Sequence, residues 1–404
     1  MKRVLCLFYY FPPSGGAGAL RCSAIARELL PHGWQATVVA PEGGIYHMPG
    51  EDLLADVPPE VTVVRTGNLN LRRPLGLLRR LGIPNTTLDM VERAVLVPDA
   101  QWGWAPFALR AAGRLLQTGG FDALLTAGAP WTAHLMGRAL ARRHGIPWVA
   151  MFADEWSTAG WYRPATPFHR RLNRHLEGRV LAAASAVTTT TPTMRERLVA
   201  AHPALSARIG VVDNGYDARL FQGRSGRLPE RFTLLYTGTL YRAVSPAVLL
   251  DALAALRGRA RLRILGFAPA WFVSEIARKG LGDLVSVESP RPHAEAVQAM
   301  LESHVLVAAL DARPSSAAVH PSKLFEYLRS GRRLLTFFPD GEAARLVEGF
   351  EGCARLRPGD REGAARVLAG WVGEWEAGGW PQAPLPRPGL EAFSRAAQAG
   401  RLAR

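Results

Sequence analysis

In HPSKLFEYLRSG, His320 to Gly331, a lysine and a glutamate stand three residues apart just behind a proline. At 100° per residue, Lys323, Glu326, Tyr327 and Ser330 share one helical face, while Leu324, Phe325 and Leu328 share the other. Pro321 suits a first helical turn and Gly331 suits a C-terminal stop. The spacing predicts a helix anchored by its apolar residues, with one cation and one carboxylate held near its positive end. That pairing suits a ligand carrying both phosphate and hydroxyl groups. Of 49 basic side chains only Lys2, Lys279 and Lys323 are lysines. A compact ammonium at 323 therefore stands out in a chain that otherwise writes arginine, and the two cations are not interchangeable at a tight site.

A second group of residues with chemical meaning lies near the N-terminus. Gly15, Gly16 and Gly18 follow the strand-like VLCLFYY and open a helical pattern, Ala19–Leu30. Without Cβ atoms, their backbone N–H groups can approach an oxyanion at the start of the next helix. The loop is neither the dinucleotide fingerprint, because Leu20 stands where a glycine or alanine belongs, nor a P-loop, which needs Gly-Lys-Ser/Thr. His134 falls in the first turn after the strand DALLTA, and Asp154 ends the strand PWVAMFA. Gly238 and Thr239 end the strand FTLLYTG, with Arg242 shortly beyond.

These residues are carried by a repeating strand–helix pattern. Strand-like runs occur at 4–10, 36–41, 61–66, 122–127, 147–153, 186–191 and 209–215, with helical segments between several of them. The pattern restarts at 232–238 and continues through 260–266, 284–289, 304–310 and 333–338. Such alternation implies parallel sheets covered on both faces. We read two doubly wound Rossmann-like α/β domains, 1–213 and 214–376, facing an interdomain cleft. A proline-rich connector and a helix follow at 377–404, the helix expected to pack back on the first domain.

Length and composition agree. A chain of 404 residues, 48% hydrophobic and 21% charged, can bury two cores and is unlike a disordered protein. No apolar run approaches the ~20 residues of a membrane span. MKRVLCLFYYF is read as a first strand rather than a targeting leader. Cys6, Cys22 and Cys353 are widely spaced, which suggests reduced thiols in the cytoplasm, and no Cys/His grouping has metal-ligand spacing. The net charge of +15 is spread over both halves and favours anionic partners. In LRRPLGLLRRLG, 71–82, leucines cover one arc and Arg72, Arg73, Arg79 and Arg80 the other, with Pro74 and Gly76 expected to interrupt the helix. Such a face suits an anionic membrane surface. A further basic group is Arg163, Arg170, Arg171, Arg174 and Arg179. These patches lack the interleaved exposed aromatics of nucleic-acid modules, so no specific nucleic-acid partner is expected.

The ordered set FYYFPPSGGAGALR, TAGAPWTAHLMG, IPWVAMFADEW, VVDNGYDARLF, YTGTLYRAVSP and HPSKLFEYLRSG resembles the GT-B glycosyltransferases, specifically the retaining nucleotide-sugar transferases of family 4. The resemblance implies a donor site in the second domain built from Gly238, Thr239, Arg242, Ser322, Lys323, Leu324 and Glu326. Arg242 and Lys323 would meet the diphosphate, and Glu326 the ribose hydroxyls. Gly15 and Gly16 join the donor set, His134 stands near the transferred sugar, and Arg21 and Asp154 serve the acceptor. It implies catalysis by His134, Arg242 and Lys323 through positioning and leaving-group stabilisation, without cofactor or metal. The acceptor would be a sugar, a lipid-linked glycan or a small molecule, and the location cytoplasmic, peripheral at the inner face of the cell membrane. The sequence departs from the family pattern in two places. Ala318 replaces an upstream glutamate, leaving Ser315, Ser316 or loop amides for the sugar, and Ala153 replaces an arginine before Asp154. Three alternatives stay open: a nucleotide-sugar epimerase of the same fold, a catalytically lost relative, and a basic membrane- or nucleic-acid-binding protein.

Overall fold

The computed structural model describes residues 1–42, 50–159, 162–241 and 247–404. The chain forms two compact units, Met1–Asp213 with Arg395–Arg404, and Asn214–Ser394. Residues 377–394, expected to stand apart as a connector, thus belong to the second unit.

The first unit holds β1 (Lys2–Leu7), β2 (Trp34–Pro41), β3 (Thr62–Thr66), β4 (Ala123–Gly128), β5 (Trp148–Phe152), β6 (Ala186–Thr189) and β7 (Ile209–Val211). They pair in parallel in the order β3-β2-β1-β4-β5-β6-β7. The second unit holds β8 (Phe232–Thr237), β9 (Ala260–Leu265), β10 (Val285–Glu288), β11 (Val305–Ala309), β12 (Arg333–Phe337) and β13 (Cys353–Leu356). Their order, also parallel, is β10-β9-β8-β11-β12-β13. The central strands read as continuous apolar runs because helices cover both faces: every residue of β8 and β11 is buried.

Each order reverses once, between β1 and β4 in the first sheet and between β8 and β11 in the second. Loops leaving adjacent strands part in opposite directions at such a point, so a crevice opens at the strands' carboxyl ends. The loops that leave these four strands carry Gly15 and Gly16, His134, Gly238, and Lys323 with Glu326.

The chain's last helix, Arg395–Leu402, packs on the helix Gly16–Glu28 of the first unit. Arg395 donates to the Leu20 carbonyl, and Gln398 Oε1 accepts from Asp213 N at 2.9 Å. Trp34 Nε1 donates to the Ala403 carbonyl at 3.3 Å. These bonds fix the tail to the first unit beside the glycine loop's helix.

Candidate functional site

In the second unit, the helix Ser322–Arg329 begins beside the carboxyl end of β8. Lys323 Nζ donates to the Thr237 carbonyl at 2.5 Å and lies 3.9 Å from the centre of the Tyr236 ring. Gly238, at φ +96°, approaches so closely that a Cβ there would sit 3.3 Å from Nζ. Burial pushes the Lys323 pKa down to about 7, with the nearby Glu326 charge opposing the shift. An ammonium so placed is short of counter-charge, and an arriving phosphate would supply it. Glu326 is buried and takes a hydrogen bond of 2.8 Å with His293 Nε2.

The helix differs from the open polar face expected of it. Tyr327 and Ser330 are buried, because the Tyr327 hydroxyl accepts from Thr237 N at 2.8 Å and Ser330 Oγ donates to the Tyr327 carbonyl at 2.6 Å. Those two residues fix the helix to β8 instead of meeting a ligand. Leu324 also turns into the core, and its N–H is spent on the Pro321 carbonyl at 2.9 Å. Ser322 and Thr239 are half-buried at the same strand end. Arg242 lies outside the described residues.

Behind Gly238 stands Gly266, at φ +148°, where a Cβ would collide with the Gly238 carbonyl. Only glycine tolerates that backbone and that contact. Gly266→Ala is expected to destabilise the chain by about 2–4 kcal/mol, read as a lower denaturation midpoint.

Upstream of the helix, the loop that holds Ala318 is closed to a sugar at Ser316. Its hydroxyl and the Arg313 guanidinium both bond Asp311, and Ser316 and Ala318 are buried. Burial pushes the Asp311 pKa up, but the bonds from Arg313 and Ser316 outweigh it and hold the carboxyl below its usual range. Ser315, half-buried, keeps an open position.

In the first unit, Gly16 starts its helix at φ +85°, and no side chain caps the helix. Gly50 covers the loop from one side, and a Cβ on it would come within 2.7 Å of Gly15 Cα. His134 is wholly buried, stacked on Phe152 with ring centres 4.5 Å apart. Thr126 Oγ1 accepts from Trp148 Nε1 at 2.9 Å and shares a hydrogen bond of 2.8 Å with His134 Nδ1. Burial pushes the His134 pKa down to about 3. The ring is therefore neutral at pH 7 and can donate a hydrogen bond but not act as a general acid. Among the described residues, its buried Nε2 has no partner.

Arg21, on the helix Gly16–Glu28, lies near Asp154, which follows β5. Burial pushes the Asp154 carboxyl up and the Arg21 guanidinium down, while each charge opposes the other's shift. Arg21 also donates to the Val212 carbonyl at 3.0 Å. A cavity of about 20 Å³, room for one water, is bounded by Tyr10, Gly18, Arg21, Gly128 and Ala153. A cavity of about 330 Å³ shares its Tyr10 and Ala129 wall and continues along Arg93, Asp99, Trp131 and Arg163.

Residues 16–215 match the family model described as the glycosyl transferase 4-like domain. The first unit carries a glycosyl transferase 4-like domain. The chain's two parallel sheets give it the GT-B fold, as three solved structures show. Sucrose-phosphate synthase from Thermosynechococcus elongatus aligns over 100% of this chain and 97% of its own, at 15% identity and a TM-score of 0.68. HepE from Anabaena, in complex with UDP and glucose, aligns over 100% of this chain and 95% of its own, at 17% identity and a TM-score of 0.64. A candidate UDP-N-acetylglucosamine 2-epimerase from Listeria monocytogenes aligns over 100% and 95%, at 13% identity and 0.60. The fold alone thus serves more than one chemistry, and the family match is what separates transferase from epimerase here. No curated sequence matches the chain.

Two parts of this transferase's site had no warning in the sequence. His293 sits 33 residues before its partner Glu326, at the start of the helix His293–Leu301, and nothing in PRPHAEAV marks it. The 330 Å³ cavity is assembled from five separate segments. Asp99 at its wall accepts from Thr132 N at 2.9 Å and Thr132 Oγ1 at 2.7 Å, which anchors the helix carrying His134. Burial still pushes its carboxyl up.

Proposed function

We propose that the chain transfers a hexose from a UDP- or GDP-linked donor to an acceptor hydroxyl, with retention and without a metal. The observation that carries this reading is the Lys323, Glu326, His293 and Gly238 cluster at the β8–β11 reversal. Lys323 neutralises the diphosphate and stabilises it as it departs, and Glu326, oriented by His293, accepts from the ribose hydroxyls. His134 stands near the transferred sugar and, held neutral, takes no proton. Because the departing diphosphate is itself a base, it can guide the acceptor's attack on the same face, so no protein nucleophile is needed. Arg242 serves as the second phosphate cation.

The acceptor, a glycan on a lipid carrier or a secondary metabolite, occupies the first unit's 330 Å³ cavity, a volume suited to a small sugar. Its arginines and tyrosines favour a hydroxylated acceptor with an anionic group. Arg21 and Asp154 serve that acceptor from the adjoining small cavity. The setting is cytoplasmic. HepE, bound to UDP and glucose on the same fold, supports the donor class.

The purified chain is tested by thermal stabilisation and nucleotide release with a panel of UDP-, GDP- and TDP-sugars. One base family should stabilise the chain and be turned over slowly to free nucleoside diphosphate. A chain that binds none of them, or that returns an epimerised nucleotide sugar, would overturn the reading.

A further inference from the structure

Two short helices of the first unit, Arg73–Arg80 and Asn85–Val95, leave their apolar side chains in solvent. Pro74 does not interrupt the first, because it occupies the opening turn, where a missing N–H costs nothing. No described side chain of that helix is buried, and the second helix buries only Leu88. Exposure reaches 61% at Leu77, 72% at Leu81, 56% at Met90 and 70% at Val95. The helices are held together by Arg72, whose Nε and Nη2 donate to Glu92 Oε1 at 2.8 and 2.7 Å.

The patch continues onto a third helix, Pro167–Ala183. His169 Nε2 bonds the Ala94 carbonyl at 3.0 Å, which joins the helix bearing the 67% exposed Phe168 to the end of the second helix. The same helices carry five exposed arginines, Arg73 and Arg80 on the first and Arg170, Arg171 and Arg174 on the third. The acidic side chains of the two short helices are Asp89 and Glu92, and Glu92 is already paired. Soluble monomers rarely leave large apolar patches open without a partner.

We infer that this surface docks on an anionic lipid bilayer. Exposed apolar side chains and exposed arginines on the same helices, with few carboxylates, complement a surface that is apolar below and negatively charged above. A nucleic acid would match the charge but leave the apolar group uncovered, and an apolar protein face would leave the arginines unmatched. Each arginine near the charged surface strengthens binding about fivefold, and salt screens that share. The inference stands on these three helices and does not depend on the donor chemistry.

The full chain is tested by co-sedimentation with phosphatidylcholine vesicles, with and without phosphatidylglycerol. Binding is expected to the anionic vesicles, at least tenfold weaker in 0.5 M salt. Leu77→Asp with Leu81→Asp, and separately Phe168→Ala, should each weaken it about tenfold or more. Because all three side chains are exposed, melting temperature and nucleotide-sugar turnover should stay at wild-type values. Equal binding to neutral and anionic vesicles, or full binding by the Asp variants, would overturn the inference. So would self-association of the wild-type chain that the same substitutions abolish.

Discussion

Replacing Lys323 with methionine is expected to lower kcat/KM for the nucleotide-sugar donor by about 10²–10³. Methionine keeps the length and packing of the side chain over Tyr236 but removes the ammonium, so the loss reports charge at the diphosphate. A charge-assisted hydrogen bond is worth about 1.5–3 kcal/mol, and a group aimed at a leaving group loses more in the transition state than in the ground state. The pH dependence gives a second signature. The free site releases its proton near pH 7, and a bound diphosphate favours the charged form, so the complex holds the proton to higher pH. Donor affinity should therefore be greatest below pH 7 and fall as pH rises through 7, by up to about tenfold per unit. The methionine variant should lose that slope. Wild-type kcat/KM in the variant, or the same slope in both proteins, would remove Lys323 from the site.

Glu326→Ala is expected to raise the Kd for the nucleoside diphosphate about 10–100-fold. Two effects combine: the ribose loses its acceptor, and His293 loses its partner at 2.8 Å. Comparison with inorganic diphosphate separates them, because that ligand has no ribose. Its affinity should change less than threefold. An equal loss for both ligands would make Glu326 a scaffold for the helix instead of a reader of the sugar ring. Glu326→Gln, which keeps one acceptor oxygen, should fall between wild type and alanine.

The central strands were legible because they are buried apolar runs of the right length between turn residues. β13, Cys353–Leu356, escaped because an edge strand of four half-buried residues carries neither a continuous run nor an alternation. The Ser322–Arg329 helix was legible in its bounds but not in its exposure. Periodicity reports which residues share a face, and nothing in it tells that a second element covers the polar face. Here the Tyr327 hydroxyl reaches Thr237 N and turns half of that face into packing.

The amino-acid sequence by itself determined the architecture, the two glycine turns and the lysine–glutamate pair, since these rest on local spacing and backbone freedom. Only the tertiary structure decided the electrical state of those groups. Burial sets Lys323 near neutral pH and keeps His134 neutral, and desolvation depends on everything packed around a residue, not on its neighbours in the chain. The same holds for His293 beside Glu326 and for the cavity of the first unit, which long-range folding assembles from distant segments.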